Sequence, residues 1–407
     1  MLSLATNPAN KQSLRIPGIG LIILAVGLIP WIQWIAGIAL FAGDALIVSL
    51  YLSALMASVL LGFNYSRVLE KPSPSDSLMS FFFCIFFAAL LSGSIGLLQW
   101  LSLQQPLGMY VAQTDVGDRA MGNMGQPNQL ATLLLMGIAA LAWIYERKKI
   151  GDLGLGVGTG FLTIVLVLTQ SRTGVVSALA MAALFAWQTK KYKLRINLWH
   201  VAIWISFFLL LSNVLPAIDQ FLLNSATRDM SLIRDNGRLP IWQQVWHGLM
   251  KSPWVGYGWN QTPTAHAFGA IEHPGDLTYN YAHNVVLDIL AWNGIPVGIF
   301  LVLLCVYWIV SRFVHLQSFT AIYAFIILTP IVMHSLLEFP FAYAYFLVAA
   351  GFFVGVVEYF HPSRSTFAIK WPVLIFLTCA GFAVGARVIY EYTLVEKDFQ
   401  IVRFENL

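Results

Sequence analysis

NLWHVAIWISFFLLLSNVL (residues 197–215) and VVLDILAWNGIPVGIFLVLLCVYWIV (residues 285–310) bracket a polar insert that runs from Pro216 to His283. Each flanking run is long and apolar enough to cross a bilayer, because a membrane helix needs roughly 20 such residues. The insert holds four of the eight histidines, His247, His266, His273 and His283, together with Arg228, Arg234 and Arg238 and four tryptophans. A hydrophilic lobe is therefore held at a membrane surface. Cations and imidazoles are its chemical equipment.

Composition agrees with this reading. The 407-residue chain is 58% hydrophobic and only 10% charged, whereas a soluble domain carries roughly 25% charged residues. Cys84, Cys305 and Cys379 each fall inside an apolar run, so no disulfide framework follows. A net charge of +4 is modest, and nothing in it calls for nucleic acid as a partner. The first apolar segment lacks a small-residue cleavage site and reads as an uncleaved anchor.

Working outward gives eleven expected spans: 17–33, 42–62, 79–100, 126–145, 153–170, 173–189, 197–215, 285–310, 319–337, 341–359 and 371–390. The expected fold is an all-α polytopic membrane protein of about 11 transmembrane helices with one large loop. Basic residues in short loops mark the cytoplasmic side. Lys11, Arg15, Arg67, Lys71, Arg147, Lys148, Lys149, Lys190, Lys191, Lys193, Arg195, Arg312, Arg364 and Lys370 all fall on one side of this count. The insert, the 101–125 loop, Arg172 and the C-terminal tail then share the opposite, periplasmic face of a bacterial inner membrane. No internal repeat of the kind found in inverted-repeat transporters is visible.

Four spots on that face hold chemistry. Arg238 stands in Asn236-Gly237-Arg238-Leu239-Pro240, a helix start. The apolar residues after it recur at three-to-four spacing, which predicts an amphipathic helix lying flat on the bilayer with Trp242 and Trp246 on its apolar side. Arg238 either offers an anion site at the helix N-terminus or snorkels to lipid headgroups; spacing leaves both open. Arg172 lies in a polar knot, Thr169 to Gly174, between two apolar runs; a charge at the bilayer edge needs a partner or a function. Gln126 and Asn128 belong to a second knot, Gly122 to Gln129, suited to sugar hydroxyls or to ordinary helix capping. His283 closes the insert next to Asn284, a further candidate for substrate contact. Histidine is the side chain whose ordinary pKa lies nearest neutrality and is the natural general base here. Gly294, deeper in the same segment, permits close approach of a neighbouring helix.

Taken together, these segments resemble the superfamily of bacterial O-antigen ligases, O-antigen polymerases and protein O-oligosaccharyltransferases, most closely its protein-glycosylating branch. Ser171-Arg172 is similar to the family's Ser-Arg signature, Arg238 with Trp242 to its Arg-x-x-x-Trp element, and His283 with Gly294 to its His-x10-Gly motif. The string from Gly125 to Ala131 resembles the Gln-x-Asn-x-x-Ala stretch of the protein-glycosylating branch. The resemblance implies a glycosyltransferase C-like membrane fold. It divides the chain into a transmembrane domain over 1–390, with a periplasmic catalytic loop at 216–284, and a tail over 391–407, short for that branch.

The implied activity is inverting, metal-independent transfer of an oligosaccharide from undecaprenyl diphosphate to a Ser or Thr hydroxyl of a pilin-like periplasmic protein. No cofactor is expected, and membrane lipids are the remaining partner. Arg172 and Arg238 would clamp the diphosphate with help from Arg228 or Arg234, and His283 would accept the proton. Gln126, Asn128 and Asn284 would position substrate. Transfer to lipid A core, or polymerisation of O-antigen, shares this chemistry. A metal-dependent transferase would gather carboxylates; Asp115 with Asp118 and Glu272 with Asp276 are the close pairs, and His266 and His273 the imaginable imidazole ligands. A flippase or transporter would place polar groups at mid-membrane. His334 and Asp288 are the polar exceptions inside expected spans, where they serve helix packing.

Overall fold

The computed structural model describes residues 14–68, 77–115, 118–223, 237–275, 279–362, 365–369 and 371–404. Arg228, Arg234, Asp276, Lys11, Lys71, Arg364 and Lys370 lie outside the described residues.

A strand β1 (Leu14–Pro17) leads into helices α1 (Gly18–Ile35), α2 (Ala42–Val68) and α3 (Ser77–Trp100). After a 3-10 turn at Gln105–Tyr110 come α4 (Pro127–Glu146), α5 (Asp152–Leu168), α6 (Arg172–Lys191) and α7 (Leu198–Leu223). The lobe contributes α8 (Arg238–Lys251) and α9 (Thr262–Ala270). The chain then returns through α10 (Val285–Val314), α11 (Phe319–Ser335) and α12 (Ala344–Tyr359), a strand β2 (Thr366–Ile369) and α13 (Trp371–Phe404). A described helix occupies each expected span. Six of them, α1 to α4, α7 and α10, are long and apolar enough to cross a membrane, and α5, α11 and α12 are apolar but shorter. The chain is a multi-pass, all-α membrane protein.

Helix α4 is the axis of the bundle. Every residue from Asn128 to Tyr145 is buried, as expected for a helix that is apolar all round. It packs on α3, α5, α6 and α11, and Ala131, Ala139 and Ala140 along it have no exposed surface. Small side chains let helix backbones approach in a lipid environment. Helices α2 and α12 meet through the same device: a Cβ on Gly351 would stand 2.8 Å from Leu55 O.

One end of the bundle is closed by polar ties among the basic residues. β1 pairs antiparallel with β2, Leu14 opposite Ile369, and Arg15 Nη1 donates to Thr366 Oγ1 at 3.3 Å. Arg195 Nη1 donates to Tyr145 O at 2.8 Å, and Arg312 Nε donates to Glu358 Oε1 at 2.7 Å. These ties bring the starts of α1 and α5 to the same end as the finishes of α4, α10 and α12. The residues of the functional lobe belong to the other end.

Two boundaries differ from expectation. Helix α7 continues through Pro216 to Leu223, so the insert starts later than its composition suggests. Helix α13 runs unbroken from Trp371 to Phe404, and the 390/391 boundary falls within it.

Candidate active site

The lobe is anchored by a break in α10. Gly294 takes φ 73° and ψ 169° inside this helix, a backbone state that residues with a Cβ avoid. The break frees two carbonyls and one N–H for the incoming loop: Tyr257 N donates to Ala291 O at 2.9 Å and Gly258 N to Trp292 O at 3.0 Å, while Ile295 N donates to the loop's Pro253 O at 2.7 Å. A Cβ on Gly294 would lie 2.5 Å from the Trp254 carbonyl. The expected close approach is therefore real, but the neighbour is loop backbone and the helix is interrupted to receive it. Gly294→Ala should destabilise the fold by about 1–3 kcal/mol from backbone strain alone, read as a lower Tm in detergent; an unchanged Tm refutes the anchor.

Side chains reinforce the dock. Asp288, fully buried, accepts from Thr262 Oγ1 at 2.7 Å and from Ala282 N at 2.9 Å. Trp292 Nε1 donates to Thr262 Oγ1 at 2.8 Å. Gln33 on α1 accepts from Trp259 N at 3.1 Å and donates to Trp292 O at 2.9 Å. Helix α8 buries Ile241, Val245 and Leu249 and packs against α9, so its apolar face is spent on protein. On its outer side Leu239, Trp246 and Met250 stay exposed, while Trp242 is half-buried.

Where the lobe meets the bundle there is a cavity of about 240 Å³ lined by Arg119, Gln126, Asn128, Gln170, Arg172, Thr173, Arg238, Ile241, Tyr279, His283 and Glu338. Arg172, Arg238, His283, Gln126 and Asn128 were each singled out in sequence, and they come from four different helix starts. Asn284 is not among the lining residues. Its Oδ1 accepts from Val286 N at 3.0 Å and Leu287 N at 3.3 Å, capping α10, which is the ordinary work of an Asn at a helix start.

Asn128 is the hub of the wall. Its Oδ1 accepts from Ser171 Oγ at 2.7 Å and Arg119 Nη2 at 3.3 Å, and its Nδ2 donates to Glu338 Oε1 at 3.1 Å. Ser171 also caps α6 by accepting from Gly174 N at 2.9 Å, so one hydroxyl sets both the helix start that bears Arg172 and the amide opposite. Arg238, the first residue of α8, donates through Nη2 to Glu338 Oε1 at 2.7 Å and to Thr173 Oγ1 at 3.4 Å. The guanidinium therefore points into the protein and not out to headgroups.

His283 sits beside the same carboxylate, with Nε2 3.5 Å from Glu338 Oε2. Its backbone is left-handed at φ 54°, a conformation uncommon outside glycine and concentrated at functional positions. Nδ1 lies 3.2 Å from Tyr281 O. A carbonyl only accepts, so that contact is made with a proton on Nδ1. Phe339 closes the other side, its ring centroid 4.9 Å from that of His283.

The other lobe histidines are placed differently. His266 is buried, and burial pushes its imidazole below the ordinary range. His247 Nδ1 lies 3.1 Å from Glu272 Oε2, and Lys251 pairs with the other oxygen. Hydrogen bonds from Lys251 and His247 hold the exposed Glu272 carboxyl below its usual range. Among the described residues no three of His, Cys, Asp and Glu converge as a metal site.

Two charged lining residues escaped the sequence reading. Glu338 lies in the short link between α11 and α12, 100 residues from Arg238; a lone acid in a tight turn on the lobe side was its only signal. Arg119 lies in the 101–125 loop, where a base on the side poor in basic residues was the hint. His334 and Asp288 do tie helices, His334 Nδ1 standing 2.8 Å from Thr132 Oγ1 across α11 and α4.

A bundle of apolar helices thus carries at one end a cavity lined by three arginines, an imidazole and a carboxylate. The chain matches the family described as O-antigen ligase over residues 157–302 and the protein glycosylation ligase family over residues 120–145. A family described as virulence factor membrane-bound polymerase, C-terminal, matches residues 322–407. It is 29% identical over 396 residues to a general O-oligosaccharyltransferase of Acinetobacter baylyi, covering 94% of this chain and 68% of that protein. Against a ComP-specific O-oligosaccharyltransferase of the same organism it is 27% identical over 341 residues, 82% of this chain and 60% of that protein. The chain is thus similar to the O-antigen ligases and protein O-oligosaccharyltransferases, which are membrane glycosyltransferases, with its relatives on the protein-glycosylating side. It spans about two thirds of the length of these relatives.

Proposed function

We propose that this enzyme transfers an oligosaccharide from a polyprenyl diphosphate, undecaprenyl diphosphate in a bacterial inner membrane, to a Ser or Thr hydroxyl of a periplasmic, pilin-like protein. The observation that carries the proposal is the meeting of Arg172, Arg238 and His283 on one cavity. The helix end with Arg15, Arg67, Arg147, Lys190 and Arg312 is rich in bases, which favours a cytoplasmic location for it and a periplasmic one for the cavity.

Outside the cytoplasm the driving force must arrive in the donor's own glycosyl–diphosphate bond. The acceptor oxygen attacks the anomeric carbon as the carbon–oxygen bond to the diphosphate breaks, and the electron pair leaves with the diphosphate. Attack from the face opposite the leaving group inverts the anomeric centre. Arg172 and Arg238 offset the charge that develops on the leaving group, an arrangement suited to guanidinium forks. The acceptor proton passes to His283 Nε2. Glu338 is a positioning residue: it holds Arg238 and stands next to the imidazolium that forms. Gln126 and Asn128 meet sugar or acceptor.

The test supplies purified enzyme in detergent with lipid-linked oligosaccharide and, separately, a pilin-like protein or lipid A core, and weighs the products. A glycopeptide carrying the intact glycan is expected; glycan on lipid A core alone, or flipping of the lipid without transfer, overturns the protein-acceptor reading. Excess EDTA is expected to leave turnover unchanged, because guanidinium groups stand where a divalent cation would otherwise neutralise the leaving group. Loss of turnover that Mg²⁺ or Mn²⁺ restores would contradict this.

A further inference from the structure

We infer that the lobe stands in lipid: Trp254 and Val255, with Leu40 and Phe41 of the α1–α2 turn, form a foot that dips into the membrane leaflet at the lobe end of the bundle. The partner of this surface is the bilayer itself.

Two helix lengths place the foot at the edge of the hydrocarbon. Beyond the break at Gly294, α10 continues from Ile295 to Val314, roughly 30 Å at 1.5 Å per residue, which is the thickness of the bilayer core. Its finish is tied at the basic end, where Arg312 bonds to Glu358. Helix α1 starts at that same end, just after Arg15, and Gln33 lies roughly 25 Å along it. There Gln33 Nε2 donates to Trp292 O at 2.9 Å. Both counts put the break of α10 at the membrane surface. The two segments of the foot share that level. A Cβ on Gly294 would lie 2.5 Å from the Trp254 carbonyl, and one on Gly258 would lie 3.1 Å from Ala39 Cβ.

What these segments present at that level is apolar and open. Trp254 is 76% exposed, Leu40 80% and Phe41 69%, with Val255 exposed beside Trp254. They continue two exposed stripes along the membrane helices, Leu24, Leu28, Ile32 and Ile35 on α1 and Val297, Phe300, Leu303 and Tyr307 on α10. Each stripe keeps the three-to-four spacing of one helix face. No Asp, Glu, Lys or Arg occurs from Ile16 to Gly43, or between Lys251 and Glu272. A protein partner would meet a polar rim around its apolar contacts. A leaflet calls for an aromatic ring at headgroup level and aliphatic side chains beneath it. Continuity with the helix stripes and the lack of charge therefore select lipid as the occupant.

The chain has 14 tryptophans, so Trp254 is read by difference between the native protein and Trp254→Phe. Both are placed in phosphatidylcholine nanodiscs, plain or brominated midway along one acyl chain. The emission lost in Trp254→Phe should be quenched by about half or more in brominated lipid, because an interfacial side chain lies roughly 5–10 Å inside the headgroup–acyl boundary. Emission that brominated lipid leaves unchanged overturns the inference. Shielding from iodide in the buffer that appears only when a pilin-like protein is added also overturns it, and assigns the surface to an acceptor. Phe41→Trp tests the second segment by gain, and it decides if Trp254→Phe does not fold. Its added emission should be quenched in the same way, and an unquenched gain refutes the foot. None of these readings needs glycan transfer, so they stand or fall apart from the proposed reaction.

Discussion

His283→Ala is expected to lower the rate of glycan transfer by ~10²–10⁴-fold, with donor affinity little changed, because proton removal in the transition state is what the imidazole supplies. Its backbone sits at φ 54°, where alanine is strained and asparagine is tolerated. His283→Asn is therefore the cleaner variant: it keeps the turn and removes the base. Transfer by membranes with matched protein amounts measures both. Near-native rates in His283→Asn would remove His283 from the chemistry, whatever the arrangement around it.

Arg238→Ala should lower kcat/KM by ~10²–10³-fold, comparable with removal of one preorganised donor from a developing anion. The loss has two parts. The leaving diphosphate loses a cation, and the Glu338 carboxylate, bonded to that cation at 2.7 Å, is left facing the donor unpaired. Burying a charge without its partner is costly in itself. Arg238→Ala with Glu338→Gln should therefore be better than the product of the two single effects, a coupling that a double-mutant cycle reads directly. Strict additivity would mean that the 2.7 Å contact does not matter to the reaction.

Much of this site was legible in sequence because its parts stand at helix starts. Polar knots between apolar runs announce themselves, and Arg172, Arg238 and His283 each sit at one. Asn284 occupies the same kind of position, which is why it reads as a substrate contact; its bonds to Val286 N and Leu287 N show a cap. Glu338 and Arg119 were not read because their meaning is tertiary. A single acid between two spans has no pattern of its own, and only folding brings it to an arginine 100 residues away. The amphipathic period of α8 was read correctly as a helix, but that one of its faces packs on α9 was not, since period alone does not name the neighbour. The same limit applied at Gly294, whose smallness was evident but whose partner, a loop rather than a helix, was not.

The stitching of Pro253, Tyr257 and Gly258 into the break of α10 uses only main-chain atoms. Trp254 and Val255, within that stitched stretch, are exposed. Attachment of the lobe is thus indifferent to what these side chains are, so substitutions at either position should leave the lobe seated on α10.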